Sequence, residues 1–237
     1  DLLESRGLGD VYKRQWPASV FSLGNIRLIR CYVMDKATEL AVNEMVKKYD
    51  PHTVIVYGSR ARGDATAESD VDLACFIDGS QTFEDTSDRN GVFIDAWIYP
   101  TDAMNSVGDF IKLHQACCII DKQGLGKKLV TKVEKEHQKG PASLTDLDKT
   151  NLIELRQKIL KQACKGGLEG NFRKGWLQTD LLQTYFSLRR LWYFGPKQSF
   201  SWLEENDEVA FKLFSEVYEE PQSIEKLKKL AAFVLNV

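Results

Sequence analysis

From Asp35 onward the apolar positions fall at helical spacing: Ala37, Leu40, Ala41, Met45 and Val46 place one apolar stripe on a helix. Asp50-Pro51 ends it, because proline disfavours helical backbone in the residue before it. A β-branched run, His52 to Tyr57, is fit for a buried strand. The period then changes to two. Within Asp70 to Ile77, Val71, Leu73, Cys75 and Ile77 form one wholly apolar face, while Asp70, Asp72, Ala74 and Phe76 form the other. Asp78 to Arg89 reads as a polar, acidic linker, and Asn90-Gly91 introduces a third strand, Val92 to Tyr99, stopped by Pro100. Val92, Ile94, Ala96 and Ile98 make its apolar face; Phe93, Asp95, Trp97 and Tyr99 lie opposite. Thr101 to Leu113 predicts a helix, Ala116 to Ile120 a short strand, and Leu125 to about Gln138 a helix with a solvated basic face.

Lys139-Gly140-Pro141 marks a domain boundary, and beyond it the pattern is helical. Ser143-Leu144-Thr145-Asp146 is rich in capping residues, and Leu147, Leu152, Leu155, Ile159, Leu160 and Ala163 form an amphipathic stripe up to Gly166-Gly167. A second, aromatic-rich helix covers about Asn171 to Phe194, with Leu177, Leu181, Tyr185, Leu188 and Trp192 on one face. Three shorter helices follow near Phe200 to Glu204, Asp207 to Tyr218 and Ser223 to Leu235. The expected division is therefore 34–140 and 141–237. Residues 1–33 are expected to be a non-native or disordered leader: SRGLGDVYKRQ resembles a translated library adapter, and no methionine precedes Met34. The alternative is a genuine extension that packs on the domain.

Composition narrows the class. With 237 residues, 43% hydrophobic and 28% charged, the chain has enough apolar material for one large core or two modest ones. A net charge of -2 gives no global attraction for nucleic acid or an anionic membrane, so neither partner is expected. No apolar run is long enough to cross a bilayer. The five cysteines, Cys31, Cys75, Cys117, Cys118 and Cys164, lack C-x-x-C spacing, which favours reduced, buried thiols and a cytoplasmic setting.

The chemistry gathers on the acidic strand faces. Asp70 and Asp72 point the same way and repel each other unless a proton or cation intervenes, so they read as half of a divalent-metal site. If both apolar strand faces pack on the same helices, Asp95 emerges beside them. Taken singly, Asp70 could be a turn residue and Asp95 a satisfied buried acid. The acids at 64, 68, 78, 84, 85 and 88 fall in loops and are expected to be solvated. GLGKK lacks the spacing and the Ser or Thr of a phosphate loop.

Gly58-Ser59, ten residues, then Asp70-Val71-Asp72, with a later strand acid, resembles the signature of the polymerase-β-like nucleotidyltransferase superfamily. GSRARGDATAESDVDL is close to its small bacterial members, and EGNFRKGWLQTDLLQTYFSLRRLWYFGPK resembles the helical substrate-binding domain of aminoglycoside-nucleotidyltransferase-like proteins. The implied fold is α+β: a small mixed nucleotidyltransferase sheet with flanking helices, then a C-terminal helical bundle. The resemblance implies that Gly58, Ser59 and Arg62 hold a nucleoside triphosphate, that Asp70 and Asp72 bind Mg2+, and that Asp95 completes the site. Independently, a glycine lets backbone approach phosphate, and amides at a helix start near Ser59 favour anionic oxygens. Arg60 is as readily a surface charge.

The implied reaction is in-line attack of a hydroxyl on the α-phosphorus of a nucleotide, ATP being expected, with loss of pyrophosphate. Either a second ion shared with Asp95 or Asp95 as general base activates the hydroxyl. Asp180, Arg190 and Lys197 are candidate contributors from the helical half, although an acid on a helix's polar face is more often paired. The acceptor is open: a small molecule such as an antibiotic, or a protein as in antitoxin-like adenylyltransferases. A nucleotide-binding regulatory module without chemistry is the non-enzymatic alternative. The resemblance also admits a homodimer, since related enzymes often pair.

Overall fold

A computed structural model of the chain describes residues 34–89 and 91–236, so the expectation for residues 1–33, with Cys31, lies outside the described residues. The chain divides into two compact units, Asp1–Glu136 and His137–Val237. Its architecture is α+β, a five-stranded mixed sheet with flanking helices followed by a helical region.

In the first unit α1 spans Lys36–Tyr49. Asp35 caps it, accepting from the Thr38 amide at 2.9 Å, and Asp50 closes it in the left-handed region at φ 43° with its amide on the Val46 carbonyl. Then come β1 (Thr53–Tyr57), a one-turn helix α2 (Gly58–Arg62), β2 (Val71–Ile77), β3 (Phe83–Arg89), β4 (Val92–Pro100) and β5 (Cys117–Asp121). The sheet order is β3-β4-β2-β1-β5; β2 and β4 run parallel, and the other neighbours are antiparallel.

The face inferred to be apolar packs on α1: Ala41, Val42 and Met45 meet Val54, Val56, Val71, Leu73, Cys75, Ile94, Ala96 and Ile98. The opposite face is covered only in part. Met104, Phe110 and Leu113 from two 3-10 segments, with Leu129 and Val133 from α3 (Leu125–Lys139), pack on Ile55, Tyr57, Ala74 and Phe76.

Two expectations need correction here. The linker from Asp78 contains β3, an edge strand whose antiparallel pairing with β4 lies in its backbone while its side chains are mostly exposed. Thr101 to Leu113 is not one helix: Thr101–Asn105 and Val107–Leu113 are 3-10 segments separated at Ser106, whose backbone is non-helical.

The second unit holds α4 (Asp146–Ala163), α5 (Gly167–Leu188), α6 (Pro196–Asn206), α7 (Glu208–Glu219) and α8 (Ile224–Leu235). Thr145 and Asp148 form a capping box at the start of α4. Leu177, Leu181, Tyr185 and Phe186 of α5 sit at the centre of a core closed by Leu203, Phe214, Leu227 and Leu230. Helix α5 ends earlier than its aromatic content predicts. Arg190 turns left-handed at φ 57°, and Trp192 leaves the stripe to donate from Nε1 to the His137 carbonyl at 2.8 Å. Among the described cysteines all are free; of the thiols expected to be buried, Cys75 is buried, Cys117 and Cys118 are half-buried and Cys164 is exposed.

Candidate active site

The site is built from strand register. Tyr57 on β1 opposes Asp72 on β2, Asp72 opposes Asp95 on β4, and Asp95 opposes Thr86 on β3. Directly opposed residues share a face, and neighbouring strands lie about 4.8 Å apart. Asp72 and Asp95 are thus side by side on the partly covered face, away from α1.

Their electrostatics follow from that placement. Burial, then Asp95, then Asp70 push the Asp72 carboxyl up to about 6, with Lys112 and Arg62 pulling weakly the other way. Asp95 Oδ1 is buried and has no hydrogen-bond partner among the described residues. The Tyr57 phenol is driven upward by burial and by the charges of Asp72 and Asp95. Gly58 sits against the Asp72 carboxylate. Its φ of 70° is left-handed, and a Cβ there would collide with the Asp72 carboxylate.

Asp70 stands just before β2, exposed at the edge of the pair. Arg60 fixes its backbone. This arginine is buried, not a surface charge: Nε donates to the Asp70 carbonyl at 2.9 Å, Nη2 to the Ser69 carbonyl, and Nη1 to Asp35 Oδ2 at 2.8 Å. The cap of α1 and the approach to the carboxylates are therefore tied by one guanidinium. Ser59 closes the α2 turn through its carbonyl, which accepts from the Gly63 and Asp64 amides at 2.9 and 3.1 Å. Arg62 lies 3.3 Å from Asp64 and is close enough to Asp72 to favour its ionised form.

The donor set fits a divalent cation. Hard carboxylate oxygens stand in adjacent register, one is without a partner, and the mutual repulsion that raises Asp72 is what a cation would relieve. Among the described residues, however, no group of three or more His, Cys, Asp or Glu side chains is already drawn together to hold a metal. Asp72 and Asp95 form the pair; Asp70 is set apart at its edge.

Pattern reasoning missed one neighbour of the site and misplaced another acid. Lys112 reaches the site from the second 3-10 segment, donating to Tyr57 Oη at 3.2 Å. Its Nζ lies 4.9 Å from the Tyr57 ring and 5.4 Å from the Trp97 ring. Asp85, expected to be solvated in a loop, is on β3, where Tyr49 donates to it at 2.7 Å and Lys48 pairs with it. It belongs to the attachment of α1, not to the site.

Within the second unit, Asp180 is held by Nε and Nη2 of Arg156, at 2.8 and 2.9 Å, with Thr184 donating to it at 3.0 Å. Arg190 donates to the carbonyls of Pro141 and Lys139 at 2.9 and 3.3 Å. Lys197 lies in the first turn of α6.

The family model for polymerase beta nucleotidyltransferases matches residues 41–105, a stretch that runs from within α1 through the first 3-10 segment and carries every first-unit site position named above except Lys112 and Asp35. This match assigns residues 41–105 to the nucleotidyltransferase class. The first unit carries a polymerase-β-like nucleotidyltransferase domain. No curated protein matches the chain. A solved nucleotidyltransferase-like protein from Exiguobacterium sibiricum 255-15 is similar at 10% identity and TM-score 0.42, covering 83% of this chain and 72% of its own.

Proposed function

We propose that the protein transfers a nucleoside monophosphate, AMP from ATP, to a hydroxyl of a small molecule and releases pyrophosphate. The observation that carries this reading is the Asp72–Asp95 register pair, with Gly58 against its Asp72 member. Asp72 and Asp95, with Asp70 at the edge, would hold Mg2+, which when bound neutralises triphosphate charge and favours ionisation of the attacking hydroxyl. Gly58 leaves room for phosphate to approach the backbone of the α2 turn, and Arg62 adds a positive charge on that side.

In this reading Asp95 Oδ1, which has no hydrogen-bond partner among the described residues, takes the proton of the acceptor hydroxyl. A bond forms between that oxygen and the α-phosphorus, the bond to the bridging oxygen breaks, and pyrophosphate departs with its electron pair. Asp180 is excluded from this role in the proposal because Arg156 already holds both its oxygens. The helical unit is assigned the acceptor, with an antibiotic-like small molecule as the class to test first. The free thiols suit a reducing, cytoplasmic setting.

The test is pyrophosphate release from each of the common nucleoside triphosphates with Mg2+, in the presence of aminoglycosides, lincosamides or a small-molecule cell extract. Release with a small acceptor supports the proposal. Labelling of a protein band by α-labelled ATP moves the acceptor to a protein, and no turnover with any acceptor leaves a nucleotide-binding module.

A further inference from the structure

We infer that Lys112 is a substrate-contacting residue whose ammonium binds the nucleotide's phosphates, an inference that rests on the nucleotide reading above. Its position is unusual for a structural lysine. It comes from the Val107–Leu113 segment, outside the stretch that carries the acidic strands, and its ammonium lies within cation–π distance of both the Tyr57 and Trp97 rings. Tyr57 is the residue directly opposite Asp72, and Trp97 lies two positions beyond Asp95 on the same face of β4. The ammonium thus stands over the row that carries the acid pair.

What it does not bond is as telling. An ammonium has three donors. Among the described residues one goes to the Tyr57 hydroxyl, a neutral partner at the long distance of 3.2 Å, and no carboxylate lies within ion-pair distance. Asp95, Asp72 and Glu84 nonetheless attract it from farther off. A lysine placed to neutralise the acid pair would bond one of its members, yet among the described residues Asp95 Oδ1 has no hydrogen-bond partner. Lys112 instead keeps a half-buried positive charge, with donors unspent, beside the place where the proposed cation and triphosphate would sit. A phosphate oxygen is the anion whose charge and size suit both neighbours: cation on one side, ammonium on the other.

The test is calorimetric titration of ATP with Mg2+ into wild-type protein, Lys112→Met and Lys112→Arg, without acceptor, beside the melting temperature of each ligand-free protein. Methionine keeps an unbranched side chain of similar length and removes the charge. ATP affinity of Lys112→Met should fall on the order of 10- to 100-fold, as for loss of a charged hydrogen bond. The ligand-free melting temperature should hold, and Lys112→Arg should restore most of the affinity. Equal ATP affinity in wild type and Lys112→Met overturns the inference while leaving the nucleotide reading intact. An affinity loss that accompanies a lowered melting temperature and is not restored by arginine makes Lys112 a packing element, and overturns it too. Wild-type protein that binds neither ATP nor another nucleoside triphosphate overturns the nucleotide reading itself, and Lys112 falls with it.

Discussion

Asp72 and Asp95 are register partners across the parallel β2–β4 pair, and among the described residues neither carboxylate is bonded to a cationic side chain. The native sheet therefore places two acids side by side with no counter-charge bonded to either, Lys112 and Arg62 acting on Asp72 only from farther off, a cost that a stability-driven arrangement would remove.

Removing either charge should separate activity from stability. Asp95→Asn should reduce nucleotidyl transfer on the order of 10²- to 10⁴-fold, measured as pyrophosphate release. Asp72→Asn should also lose transfer, yet its metal-free melting temperature at pH 7 should equal or exceed that of wild type, because the repulsion is gone. A lower melting temperature for Asp72→Asn would contradict the placement of the pair.

The pH dependence follows from the raised Asp72 carboxyl. Its folded value, about 6, exceeds the ordinary 3.8, so its contribution to metal-free stability is complete below about pH 3.8 and is lost as pH rises through about 6. Metal binding runs the opposite way, since protons compete for the same oxygen. The Mg2+ concentration giving half-maximal transfer should rise steeply as pH falls below about 6, measured between pH 5 and 8 (roughly the range in which a carboxyl so shifted titrates).

Gly58→Ala tests the fit against Asp72. Left-handed backbone costs a non-glycine residue about 1–2 kcal/mol, and the new methyl would strike the Asp72 carboxylate. Chemical denaturation should show at least that loss, with transfer abolished even in the fraction that remains folded. Gly91→Ala is the control. It shares a positive φ but meets no atom, so it should lose stability without the selective loss of transfer.

Asp180→Ala should act on the second unit's stability. Leaving the Arg156 guanidinium unpaired where each side chain of the pair is about 15% exposed should cost about 2–3 kcal/mol. Turnover per folded molecule, measured below the melting transition, should persist; its disappearance would restore Asp180 as a candidate base.

The acid pair was legible because β2 and β4 each carry one wholly apolar face, which leaves a single way to seat them on α1. β3 was not. Its pairing resides in backbone hydrogen bonds, while FEDTSDR shows mostly exposed, acidic side chains that resemble a linker. Lys112 gave no periodic signal, since a single lysine in a 3-10 segment acquires meaning only when the fold sets it over Tyr57 and Trp97. Arg60 was ambiguous for a related reason: its partners are two backbone carbonyls and a helix cap, none of which a residue pattern encodes. The early end of α5 follows from backbone geometry at Arg190 that its aromatic-rich continuation conceals.

The Tyr57–Asp72–Asp95–Thr86 row spans four strands in strict alternation, and this gives the acids a part in folding itself. A slip of one residue in β2 or β4 would turn a carboxylate into the apolar layer beneath α1, where no cation awaits it. Misaligned sheets are thereby penalised by the same side chains that the aligned sheet displays, so the catalytic candidates double as a proofreading device for the strands that carry them.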